Sequence, residues 1–149
     1  MMLEVLENGF SKYGPYIISA RGLELRPDKS ALLPNIDEVE ICEIVIARWI
    51  DKRKTINRCG HNFNSYGLKH AVEQICNNDI INPDRPNGEN VYISNGAIIQ
   101  AAADLGFAVE ACSPNSHFAA FNMGFMRLLK FVKNLELGRI TIDDLKTKK

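Results

Sequence analysis

Apolar residues recur at helical spacing in four stretches of the chain, separated by polar segments rich in Asn, Gly and Pro. In the first, Ile36, Val39, Cys42, Val45, Ile46, Trp49 and Ile50 form a stripe that Ile41 and Ile44 widen, which predicts a helix from about Ile36 to Arg53. Asn35 suits its N-cap, Glu38 the capping-box position, and Lys52, Arg53 and Lys54 its negative end. A second helix opens with Ser65 as N-cap and runs to about Asn77. It turns Leu68, Ala71, Val72, Ile75 and Cys76 inward and Lys69, Glu73 and Gln74 outward. A third is capped by Ser94, buries Ile98, Ile99, Ala102 and Leu105, and ends at Gly106 in the left-handed conformation, with Phe107 closing the contact. The fourth spans about Phe121 to Leu137, with Phe121, Phe125, Leu128, Leu129, Val132 and Leu135 inside. Gly138 ends it, and a short last helix starts at Thr141.

The first 34 residues lack this period. Tyr16 to Ser19 and Leu23 to Leu25 suit short strands around an Arg21-Gly22 turn, and Pro27 and Pro34 then interrupt the chain. A further short strand fits Phe107 to Glu110, and residues 77–91 read as a surface loop. The expected fold is mainly α, α+β at most: a compact bundle of four to five helices with a short N-terminal β-hairpin or extended arm. Residues 1–34 form the arm and residues 35–149 the helical domain of a single globular unit.

At 149 residues the chain can bury a substantial core. Its acidic start is not followed by the basic and apolar regions of a leader, and no apolar run is long enough to span a membrane, so a cytoplasmic protein is expected. Its zero net charge hides a marked segregation. Residues 1–47 carry −4, residues 48–70 +5, residues 71–126 −5 and residues 127–149 +4. This excludes a uniformly basic nucleic-acid binder but leaves room for a local basic patch.

Four cysteines stand at positions 42, 59, 76 and 112 without paired CxxC spacing. Cys59, His61, Cys112 and His117 could supply a tetrahedral zinc set, but Cys59-x-His61 is not a usual ligand spacing. Reduced thiols are expected, and neither metal nor cofactor. Hydrolysis or group transfer could draw on His61, His70 or His117 with Glu73 and a cysteine. No nucleophile motif or phosphate-binding loop supports this, so a non-catalytic role is expected.

Two polar signatures open helices. One combines Thr55-Ile56-Asn57 with Ser65-Tyr66-Gly67-Leu68-Lys69-His70; the other is Tyr92-Ile93-Ser94-Asn95-Gly96-Ala97-Ile98-Ile99. Together with Leu105-Gly106-Phe107 and Pro114-Asn115-Ser116-His117-Phe118, they resemble small, largely uncharacterised proteins of phages, plasmids and other bacterial mobile elements. The resemblance covers about residues 44–122, and it implies a setting rather than a chemistry.

Nucleic-acid binding is the first functional expectation. The second and third helices would form a helix-turn-helix-like pair across an unusually long connection, with Tyr66, Lys69, His70 and Asn95 as contacts, supplemented by Arg53, Lys54, Asn57 and Arg58. Plain helix capping by Ser65, Ser94 and Asn95, and a solvated helix end at residues 48–54, are the competing structural readings. Inhibition of a host defence protein by protein–protein contact, as anti-CRISPR proteins act, is the alternative. The Phe-rich fourth helix also suggests a homodimer.

Overall fold

A computed structural model describes residues 3–59, 64–78 and 90–138. The first four strands, β1 (Leu3–Val5), β2 (Ser11–Tyr13), β3 (Tyr16–Ser19) and β4 (Gly22–Glu24), form an antiparallel meander. Its last two turns are two-residue hairpins closed by the pairs Tyr13–Tyr16 and Ser19–Gly22. The anticipated hairpin is therefore half of a four-stranded sheet. Tyr13, Ile18 and Leu23 join the same hydrophobic core as the helices, so this sheet is a wall of the core and not a detached arm.

Helix α1 (Ile36–Trp49) is capped by Asn35, whose side chain accepts from the Asp37 and Glu38 amides. Glu38 does not complete a capping box. Its carboxylate accepts instead from the Ser94 amide at 2.9 Å. The helix also stops short of Arg53. Ile50 turns extended, and Asp51–Lys52 (β5) pairs with Met123–Gly124, which we number β8. A strand pairing across 70 residues of sequence thus overrides the local helical period. Ile36 and Ile44, placed on the inward stripe by their spacing, are exposed.

Helix α2 (Ser65–Cys76) begins one residue earlier than the sequence suggests. Asn64 is the cap, accepting from the Gly67 amide, whereas the buried Ser65 hydroxyl accepts from the Ala119 amide. Helix α3 (Asn95–Asp104) is capped by Ser94 and ends at Gly106 with φ +86°, as the sequence indicates. It touches α1, α2, β3, β4 and β6 (Val109–Ala111). Residues 95–99 and 101–103 are all buried, and the run of small side chains there lets neighbours close in from every direction. Leu105, assigned to the interior from sequence, is partly exposed at the end of this helix.

Strand β7 (Ala119–Phe121) pairs with β6 and contains Phe121, which the sequence pattern assigns to the fourth helix. Asn122 then turns the chain: its Oδ1 accepts from the Ala108 amide and its Nδ2 donates to the Arg53 carbonyl. Helix α4 (Met126–Glu136) follows, and Gly138 ends it with φ +67°. Phe121 and Phe125 are buried and Phe131 stacks on Trp49 at 4.5 Å, so α4 does not offer the Phe-rich outer face that suggested a homodimer. The short helix expected from Thr141 lies outside the described residues, as does most of the 77–91 loop. Among the described residues, no helix is long and apolar enough to cross a membrane. Among the described residues the architecture is α+β: four helices, the N-terminal sheet and two small two-stranded sheets.

Gly96 gives a direct test of this packing. A Cβ at that position would lie 1.6 Å from the Ser19 carbonyl oxygen. Helix propensity alone makes Gly96→Ala stabilising by about 1 kcal/mol. Steric conflict with fixed backbone reverses the sign, and we expect a loss of about 3 kcal/mol or more, read from urea denaturation.

Candidate nucleic-acid interface

The sequence-predicted residues separate into three groups. Tyr66, Lys69 and His70 come together on the first turns of α2, as their spacing requires. The Tyr66 ring meets the His70 ring edge-on at 4.4 Å and the Phe118 ring at 5.5 Å. The Lys69 ammonium lies 5.8 Å from the centre of the Tyr66 ring and 4.8 Å from that of Tyr92. Tyr66 is 49% exposed, Tyr92 65% and Phe118 39%, so the two rings beside the cation and the Phe118 ring next to Tyr66 all reach the surface.

Lys69 itself does not face outward. It is buried, with its Nζ 3.1 Å from Glu73 Oε2. Glu73 organises the cluster: the same oxygen accepts from the Ile93 amide at 2.9 Å, and Oε1 lies 2.9 Å from His70 Nδ1. Burial alone would raise the Glu73 carboxyl, but the Ile93 amide, Lys69 and His70 together outweigh it and hold the group below the ordinary carboxylate range. Lys69 therefore fixes the rings by its charge and position, and it is not available as a phosphate contact.

Asn95 is absent from this cluster. It is buried, and its Nδ2 donates to the carbonyls of Arg21 and His117, each at 2.9 Å. The Asn side chain holds the β3–β4 turn against the 113–118 loop. With α3 enclosed and Asn95 engaged, α3 does not present Asn95 for contact with a nucleic-acid groove.

Residues 53–58 make up the third group. The backbone from Asp51 onward lies beside residues 120–124, through the β5–β8 pair, the Arg53 amide to the Asn122 carbonyl, the Asn57 amide to the Phe121 carbonyl and the Asn64–Ala120 bridge. Asn57 is a clamp, its Nδ2 donating to the Met123 carbonyl at 2.7 Å. Arg53, Lys54 and Arg58 are exposed along this segment. Arg127, from the second basic stretch, reaches the segment and pairs with Asp51 at 3.2 Å. Its Nη2 also donates to the Arg48 carbonyl. The two basic stretches thus meet where β5 joins β8.

A disulfide connects Cys59 to Cys112, correcting the expectation of reduced thiols at these positions. The Cys112 amide donates to the Phe118 carbonyl, so the bond ties the end of the basic segment to the strand pair that carries the aromatic cluster. With both sulfurs bonded to each other, neither serves as a zinc thiolate. His61, the third member of that set, lies outside the described residues. Among the described residues no cluster of three or more His, Cys, Asp or Glu could hold a metal. Cys42 and Cys76 take no part in a disulfide, and burial pushes both thiols up.

Tyr92 and Phe118 join the candidate site although the sequence marks them only within motifs and not among the expected contacts. Each sits in a loop, with no periodic signal to mark it. Comparison with protein-family models, curated proteins and solved structures finds no match for this chain.

Glu73→Ala leaves a buried ammonium unpaired and is expected to cost about 3–5 kcal/mol in denaturant unfolding. Because the folded carboxyl titrates below its ordinary value of 4.5, its contribution is complete above that pH and vanishes as acid protonates it. The stability difference between wild type and Glu73→Gln should therefore shrink as the pH is lowered well below 4.5. A constant difference would show that the charge is immaterial.

Proposed function

We propose that the protein binds single-stranded nucleic acid without catalysis, along a strip that runs from Arg53, Lys54 and Arg58 to Tyr66, His70, Phe118 and Tyr92. The observation that carries this reading is the exposure of Arg53, Lys54 and Arg58 on a segment that is tied by the Cys59–Cys112 bond and by its pairing with residues 120–124 to the elements that carry the exposed Tyr66 and Phe118 rings. The basic segment lies alongside residues 120–124, where Asn122 turns the chain from β7 into β8. Single strands are held by this combination, with phosphates on Lys and Arg and bases on aromatic faces.

The chain's zero net charge is compatible with such a strip, because screening makes local cations count more than distant acidic segments. An apolar-floored cleft of about 510 Å³ between α2 and α4 borders Tyr66 and His70, so a base stacked there would have Leu68, Leu128 and Val132 nearby. This reading replaces groove recognition of duplex DNA, for which α3 offers no outward face. A mobile-element setting and a cytoplasmic location, taken from the sequence, belong to the same proposal.

Fluorescence anisotropy with labelled single-stranded oligonucleotides tests it. Tyr66→Ala or Phe118→Ala should each weaken binding about tenfold, within the ~1–3 kcal/mol of one stacked base. Replacing Arg53, Lys54 and Arg58 together by Ala should reduce the log–log salt slope by about 2, at ~0.7 per lost phosphate contact. Absence of binding at low salt would overturn the reading and return attention to a host protein as the partner.

A further inference from the structure

We propose that the Cys59–Cys112 bond is a redox control on the strip, so that opening it weakens single-strand binding; this rests on the reading just given. The bond occupies the junction of the two halves. On one side, Arg58 is covalently next to Cys59. On the other, Cys112 donates its amide to the carbonyl of Phe118, whose ring touches Tyr66. Between Arg53 and Asn64 the described attachments of this backbone to the 121–124 strand are those of Asn57, made through its amide and its side chain. The disulfide is the next anchor, and it holds the position from which Arg58 projects.

Cys59 is exposed, so a thiolate can reach it. A dithiol reductant attacks one sulfur, the S–S bond breaks, and a mixed disulfide forms. The reductant's second thiol then displaces the remaining protein sulfur, leaving as a cyclic or intramolecular disulfide. Two electrons and two protons pass to the protein, which ends with two thiols. The other two cysteines do not compete as resolving groups at this site: Cys42 is buried within α1 and Cys76 is partly buried at the end of α2. Disulfides found in cytosolic proteins are usually transient and redox-sensing, which agrees with the location proposed above.

Opening the bond leaves Tyr66, Phe118 and Tyr92 in place, because Glu73, Lys69 and the Ser65–Ala119 hydrogen bond hold them independently. The loss should therefore fall on the electrostatic part of binding. Wild-type protein, oxidised and then reduced with dithiothreitol, is compared by anisotropy on a labelled single-stranded oligonucleotide, and by hydrogen exchange of the Asn57 amide. Reduction should weaken binding severalfold, lower the salt slope by about 0.7 as one phosphate contact is lost, and accelerate Asn57 exchange. Cys59→Ser should behave as the reduced protein does and should no longer respond to dithiothreitol.

Equal affinity and salt slope in the two redox states of a binding-competent protein would overturn the control alone. Unchanged Asn57 exchange would show that the bond does not fix the segment, whatever the binding result. An oxidised protein that binds no single strand would instead remove the underlying reading and this control with it.

Discussion

The start of α3 is the joint on which the other elements converge. Three consecutive residues do different work there. The Ser94 amide reaches Glu38 of α1 while its hydroxyl caps its own helix. Asn95 spans the carbonyls of Arg21 and His117. The Gly96 amide donates to the Ala20 carbonyl, across a gap that no side chain could enter. Backbone carbonyls shut off from water need partners, and Asn95 and Gly96 supply them for a β-turn and a distant loop at once. Once this end is fixed, the small side chains of α3 settle between α1, α2 and the N-terminal sheet.

Much of the helical framework was legible in the sequence, because caps are local. Asn35, Ser94, Gly106 and Gly138 each mark a helix end that the structure places within a residue or two. The end of α1 and the start of α4 were not legible. The first is set by the two-residue β5–β8 pairing between segments about 70 positions apart, the second by that pairing and the three-residue β6–β7 hairpin, and such short strands carry no period of their own. Residues 1–13 gave still less, since a three-residue strand cannot show an alternation long enough to recognise.

The candidate site divides along the same physical line. Tyr66, Lys69 and His70 were legible as one turn of a helix, but the burial of Lys69 was not. Lys69 looks like a surface cation until Glu73 and the Ile93 amide are seen to enclose it. Asn95 gives the same signal as a contact residue and as an internal hydrogen-bonding bridge, and only tertiary structure separates the two. The Cys59–Cys112 pair spans 53 residues, and nothing in its spacing announces it.

The fit of Gly96 against Ser19 and Ala20 also bears on how this protein could have changed over time. A helix that borrows its first acceptor from a preceding β-turn cannot be transplanted without that turn. The tripeptide Ser94-Asn95-Gly96 and the hairpin before it should thus be inherited as one cassette, with drift in either held back by the other. Distant kin would then be traced more surely by looking for both features together than by matching overall residue identity.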